Sequence, residues 1–231
     1  MKTVLITGAS SKIGTELVDY FIANQWKIIY HYHSSKRFET NYEHIDYVMC
    51  DFNDLRKVEE KMTHHFQRYG TIDLVVNNAS ILMEDNEENQ QSILTVNYLV
   101  PKLINELYAE YYKKGRIINF TDTRILIPNR NHKKSFYYES KLKLHELTIS
   151  QAQSFGENFL INSIAPGYVH ENDESKIKRF EAMPQRNILN KAVNMSDILQ
   201  AVDLLVRTTS ITGQTIAVDC GEAIYKQNER K

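Results

Sequence analysis

Short apolar runs alternate with longer amphipathic stretches from one end of the chain to the other. Val4-Leu5-Ile6 reads as a buried strand ending at Thr7-Gly8, and Lys12 to Asn24 carries Ile13, Leu17, Phe21 and Ile22 on one helical face. Strand patterns recur at Lys27 to Tyr32, Tyr47 to Met49, Ile72 to Val76, Arg116 to Phe120, Phe159 to Ile164 and Thr215 to Val218. Helical patterns fill Asn53 to Tyr69, Asn89 to Tyr112 and Ser135 to Ser154. Strands separated by helices are joined by right-handed crossovers. The pattern therefore predicts an α/β fold, a doubly wound and mostly parallel sheet of seven strands with helices on both faces.

No linker, repeat or low-complexity tract interrupts the alternation, so residues 1–231 read as one domain. The exception in texture is Val169 to Asn194, which is polar and weakly periodic. Ligands of doubly wound sheets bind beyond the carboxyl ends of the strands, and this segment follows the sixth strand. It reads either as a lobe covering a substrate or as a solvated loop and helix.

Composition narrows the class. The 28 basic and 29 acidic residues nearly cancel, which gives no general field for nucleic acid or an anionic membrane. No apolar run approaches the roughly 18 residues that span a bilayer, and the first strand is too short for a signal peptide's apolar region. Cys50 and Cys220 lack metal-ligand spacing and read as reduced structural thiols, with no metal expected. A soluble, cytoplasmic protein is the expectation.

The turn from Thr7 to Gly14 lies between the first strand and the first helix. Gly8 permits a tight turn, and Gly14 permits close approach of helix to sheet. The free amides at the helix start, with the helix dipole, then suit a pyrophosphate. Lys12 adds an ammonium that can reach a phosphate as a point charge. A dinucleotide site that prefers NAD places an acid at the end of the second strand. Here that place reads His33-Ser34-Ser35-Lys36-Arg37, with no acid and two cations, which favours the 2′-phosphate of NADPH over a solvated basic loop.

Tyr137 and Lys141 are four residues apart on a predicted helix and share a face. The ammonium can bind a ribose hydroxyl and is expected to lower the phenol's pKa towards working pH. Tyr138, the neighbouring alternative, meets Leu142 at the same spacing, which cannot serve.

Thr7 to Gly14, Asp51, Asn77-Asn78-Ala79-Ser80, Asn97, Tyr137/Lys141 and Asn162 to Gly167 stand in the order of the short-chain dehydrogenase/reductase family, and the chain resembles that family from residue 3 to about residue 221. The resemblance implies a Rossmann domain in which Tyr137 is the general acid, Lys141 the ribose anchor and Asn97 part of a proton relay. It implies that Asp51 meets the adenine and that Asn78 and Ala79 line the ribose and nicotinamide. Gly8, Ser11, Lys12, Ile13, Gly14, His33, Ser34, Ser35, Phe52, Ser80, Pro166 and Gly167 complete the cofactor contacts it implies.

Two departures narrow the resemblance. Most members carry a serine after the fifth strand, where this chain reads Asn119-Phe120-Thr121-Asp122-Thr123, and most carry glycine where Lys12 and Ser80 stand. An Asp after strand five, a basic residue in the phosphate turn and Asn-Ala-Ser after strand four are similar to the pteridine reductases, above all the bacterial dihydromonapterin reductases. That likeness implies NADPH-dependent reduction of a dihydropterin such as 7,8-dihydromonapterin, dihydrobiopterin or dihydrofolate, with Lys12, Ser80, Leu82, Asp122 and Tyr137 at the substrate. Asp122, otherwise a loop or helix-capping acid, would bind the amino-pyrimidine edge and orient the phenol.

The aromatic expected after Asn-Ala-Ser is replaced by Ile81-Leu82-Met83, so aliphatic contact would stand in for stacking. The stretch between Asp122 and Tyr137 is longer than the likeness suggests, and its Arg130, His132, Lys133 and Lys134 either attract an anionic substrate tail or are simply solvated. Reduction of a carbonyl such as a 3-oxoacyl thioester, and a silent dinucleotide sensor, are the alternatives. The family also implies pairing through the helices at 89–112 and 135–154, as a homotetramer or homodimer.

Overall fold

The computed structural model describes residues 1–36, 42–127, 135–169 and 187–225. Seven strands form one parallel sheet in the order β3-β2-β1-β4-β5-β6-β7. They are β1 (Thr3–Ile6), β2 (Lys27–Tyr32), β3 (Ile45–Met49), β4 (Leu74–Asn77), β5 (Gly115–Phe120), β6 (Phe159–Pro166) and β7 (Thr215–Val218). The order reverses between β1 and β4, and the crevice there is where doubly wound sheets place a ligand.

The period of two along β1 divides the core. Val4 and Ile6 point to one face, where α1 (Lys12–Ala23) supplies Leu17 and Phe21. Leu5 points to the other, where α2 (Leu55–Arg68) supplies Val58 and Met62 and α4 (Val100–Tyr111) supplies Ile104 and Tyr108. Every strand of a parallel sheet covered on both faces is a near-continuous apolar run, which is why these segments were legible.

The long helix expected at 89–112 is three pieces. α3 (Glu87–Leu94) runs into a π-helical turn, Thr95–Leu99, and then into α4. Such turns lengthen the hydrogen-bond step and concentrate at functional sites, and this one contains Asn97. Tyr137 and Lys141 lie on α5 (Ser135–Ser154), and α6 (Met195–Arg207) follows the partly described segment after β6.

Helix α6 extends the elements expected from the pattern. Its buried Ile198, Ala201, Val202, Leu205 and Val206 have helical spacing and close the α1 face. The guanidinium of Arg116 on β5 donates to the carbonyls of Leu205 (3.0 Å) and Thr208 (2.6 Å), which satisfies the helix's C-terminal end. Of the lobe, Val169 bridges to Val193, and residues 170–186 lie outside the described ones.

Candidate active site

The phosphate turn is held from two sides. Gly8 adopts φ +60°, and a Cβ there would sit 2.8 Å from the Cα of Ala79. A Cβ on Gly14 would sit 2.2 Å from the carbonyl of Gly8, so the start of α1 presses directly on the turn. Ser11 caps α1 by accepting from Gly14 N–H at 3.1 Å. Asn78, buried at the end of β4, donates to the carbonyls of Thr7 (3.0 Å) and Gly8 (2.9 Å) and to Ser11 Oγ (3.0 Å). The amides of Asn78 and Ala79 both donate to Thr7 Oγ1 at 3.0 Å. The result is a backbone cradle in which a methyl added at Gly8 or Gly14 would clash, and it fits a close-lying pyrophosphate.

Across the crevice, half-buried Tyr137 on α5 donates its hydroxyl to Asp122 Oδ2 at 3.1 Å. Asp122 Oδ1 accepts from the amide of Arg124 (2.9 Å) and lies 3.4 Å from Arg124 Nε. Two cations flank the phenol ring: the Arg124 guanidinium and the Lys141 ammonium each lie 5.9 Å from its centroid. Lys141 is fully buried and donates to the carbonyl of Phe120 at 2.8 Å. Burial pushes its ammonium down to about 8, with Asp122 acting in the opposite sense.

Asn97 is saturated by its neighbours. Its Nδ2 donates to Ile81 O (3.0 Å) and Ser140 Oγ (3.1 Å), and its Oδ1 accepts from Ser80 Oγ (3.2 Å) and Ile81 N–H (2.9 Å). It thereby fixes the loop that carries Ser80 and the half-exposed Leu82 beside α5.

Comparison with known proteins now decides the family. The family model described as "short chain dehydrogenase" matches residues 2–182. The chain belongs to the short chain dehydrogenase family. This short chain dehydrogenase is 26% identical to the 3-oxoacyl-[acyl-carrier-protein] reductase FabG of Thermotoga maritima, over 96% of its own length and 98% of the relative's. It is 24% identical to the dihydromonapterin reductase of Citrobacter koseri, over 94% and 95% of the two chains. Its fold matches 4-hydroxyisoleucine dehydrogenase complexed with NADH at a TM-score of 0.89, 22% identity and coverage of 98% and 100%. It also matches FolM alternative dihydrofolate reductase 1 from Brucella canis complexed with NADP, at a TM-score of 0.85, 24% identity and coverage of 99% and 96%.

Several expectations for this dehydrogenase need correction. Lys141 does not pull the Tyr137 phenol down: burial, seconded by Asp122, raises it well above its ordinary range. The opposing influences on the phenol are Arg124 and the Ser80 hydroxyl. Lys141 is turned to the Phe120 carbonyl and is not among the groups that lower the phenol. Phe52 is buried with its ring stacked on His31 at 3.8 Å, so it has only main chain to offer a ligand. Lys36, expected at a phosphate, has its ammonium over the rings of Tyr47 (4.1 Å) and Tyr32 (5.7 Å).

His33 and Asp51 are exposed, and His33 Nε2 stands 3.8 Å from Asp51 Oδ1 at the rim of the crevice. Gly167 packs on Asp219, where a Cβ would meet the Cα at 2.8 Å. Arg37 and the cluster Arg130, His132, Lys133 and Lys134 lie outside the described residues. Sequence reasoning missed Arg124 and His31, because what matters in each is proximity to residues distant in the chain.

Proposed function

We propose that this protein is a cytoplasmic, NADPH-dependent reductase of a dihydropterin, with 7,8-dihydromonapterin as the first substrate to test and dihydrobiopterin and dihydrofolate after it. The observation that carries the reading is the 3.1 Å hydrogen bond from Tyr137 to Asp122, where a carbonyl reductase would use a serine hydroxyl. The two threonines beside Asp122 do not supply that hydroxyl. Thr121 is buried and donates to Ile164 O at 3.1 Å; Thr123 is buried and donates to Asp219 Oδ2 at 2.6 Å. A C=N bond needs a proton on nitrogen rather than a polarised carbonyl, which suits an Asp–Tyr pair.

The residues divide the work as follows. Tyr137, held neutral by burial, is the proton donor to ring nitrogen. Asp122 accepts from the phenol, orients it, and suits the amino and N–H donors of a pyrimidine edge. Arg124, whose guanidinium lies 5.9 Å from the ring and draws the phenol downward, stabilises the phenolate left behind, and Lys141 serves as the ribose anchor. Leu82, half-exposed, is the apolar wall for the pterin face. Bound NADPH supplies the hydride. Its pyrophosphate suits the cradle of Gly8, Ser11, Lys12, Ile13 and Gly14, and its 2′-phosphate suits His33, Ser34 and Ser35, where no acid stands in the strand-end run. Assembly as a homotetramer or homodimer would use α4 and α5, which expose Tyr111 and Ile149.

The test is purified protein with NADPH, followed at the nicotinamide absorbance. Oxidation with a dihydropterin and none with an acetoacetyl thioester is the expected outcome. The reverse pattern makes it a carbonyl reductase like its FabG relative. Inactivity with both, alongside intact dinucleotide binding, makes it a sensor.

A further inference from the structure

His31 is the penultimate residue of β2, between Tyr30 and Tyr32, and is almost completely buried at 2% exposure. A buried histidine needs partners for both ring nitrogens. Here Nδ1 accepts from the amide of Gly8 at 3.0 Å, and Nε2 faces the carbonyl of Cys50 at 3.0 Å. An amide can only donate and a carbonyl can only accept, so the ring is neutral with its proton on Nε2. Burial agrees, pushing the imidazole down to about 4. The ring face stacks on Phe52 with an interplanar angle of 10°. The main-chain carbonyl of the same residue accepts from Ala9 N–H at 2.8 Å.

These contacts add a side-chain link between the ends of β1 and β3, which flank β2 and do not pair with each other. Gly8 and Ala9 open the phosphate turn. Cys50 and Phe52 flank Asp51 in the loop after β3, the wall proposed for the adenine. Gly8 is gripped at both ends, its amide by His31 and its carbonyl by Asn78. We propose that His31 is a positioning residue for the dinucleotide: its neutral ring clasps the phosphate turn to the adenine wall and sets the spacing between them. The chemistry asks for an acceptor facing Gly8, a donor facing Cys50, and a flat body between them. Without the ring, the half-buried Gly8 amide and the carbonyl of buried Cys50 lose their partners at the same time, and the cradle is free to relax.

The inference rests on the reading of this crevice as a dinucleotide site, and calorimetry with NADP+ and NAD+ separates the two. If the wild-type protein binds neither, that reading falls and the clasp falls with it. If it binds, His31→Phe, which keeps the flat body but neither hydrogen bond, is expected to weaken NADP+ binding about tenfold or more. His31→Gln, whose carbonyl and amide reproduce the acceptor and donor, is expected to recover most of that loss. Binding by His31→Phe at wild-type strength overturns the proposal, as does a Gln variant no better than Phe.

Should His31→Phe fail to fold, 15N NMR of the wild-type imidazoles decides the matter. The His31 ring is expected to show an unprotonated Nδ1 and a protonated Nε2, and to keep that state when NADP+ is added. The opposite tautomer, or a charged ring at neutral pH, removes the clasp.

Discussion

The Tyr137 hydroxyl donates to Asp122 Oδ2 at 3.1 Å, bringing together residues from α5 and from the turn after β5. The pair converts a phenol that burial keeps protonated into an oriented donor, and the loss of either partner has a distinct signature. Tyr137→Phe should lower kcat by about 10² to 10⁴ while leaving the dinucleotide Kd unchanged. Asp122→Asn keeps the shape but removes the charge, and should lower kcat and raise KM together, because orientation and substrate binding are both affected. Steady-state kinetics with calorimetric Kd values distinguishes them. Full turnover by Tyr137→Phe would mean that another group supplies the proton.

Arg124 shares Asp122 with Tyr137 and is the first of the groups that draw the phenol downward. Arg124→Gln should lower kcat about tenfold with little change in KM, as expected for a charge felt most when the phenolate forms. A rise in KM alone would make Arg124 a substrate-binding group instead.

Lys141 gives a dependence of stability on pH. Its folded value of about 8 lies below the roughly 10.4 of an unfolded lysine, so the unfolded chain holds the proton more tightly. The ammonium therefore opposes folding by about 3 kcal/mol below pH 8, and the penalty fades between about pH 8 and 10.4. In urea titrations the wild type should gain stability relative to Lys141→Met across that window. Parallel curves for the two proteins would show that Lys141 titrates normally.

Gly14→Ala should abolish dinucleotide binding. The added methyl lies 2.2 Å from the Gly8 carbonyl and 2.8 Å from backbone atoms of Ala9, and backbone cannot swing aside as a side chain can. Overpacking of this kind costs about 1 to 3 kcal/mol, so a lowered Tm should accompany the loss. A variant that still binds NADP+ with wild-type affinity would count against the turn as the pyrophosphate seat.

Between α4 and α5, Asn105 accepts from Asn77 Nδ2 (2.7 Å) and donates to Gln151 Oε1 (2.8 Å), all three buried. Asn105→Leu keeps the volume, leaves Asn77 Nδ2 with only its bond to Asn119 and takes the partner from Gln151 Oε1, at a cost of about 3 kcal/mol. Thermal melting should register this as a drop of roughly 5 to 10 °C. An unchanged Tm would mean that the network adds nothing net.

Local chemistry determined much of this protein. Strand periodicity, the helix face of α1, the glycines of the turn, and Tyr137 with Lys141 one helical turn apart are all set by neighbours in the chain, so the sequence carries them openly. Helix α6 is equally legible in the helical spacing of Ile198, Ala201, Val202, Leu205 and Val206. The π turn at Thr95–Leu99 has no such pattern, since it comes from fitting α3 and α4 around Asn97 and the loop it clamps.

Tertiary structure decided what each charged or polar group experiences. Spacing alone suggests that Lys141 lowers the Tyr137 pKa; burial and the nearness of Asp122 make the phenol harder to ionise, and burial, against the pull of Asp122, makes the amine easier to neutralise. His31 reads in sequence as one more strand residue, and it becomes a link only because β1, β2 and β3 lie side by side, bringing Gly8 and Cys50 to its two nitrogens. Sequence fixes which groups are available and on which face they start. Desolvation and the partners met across the sheet act through space, and so only the folded chain could set them.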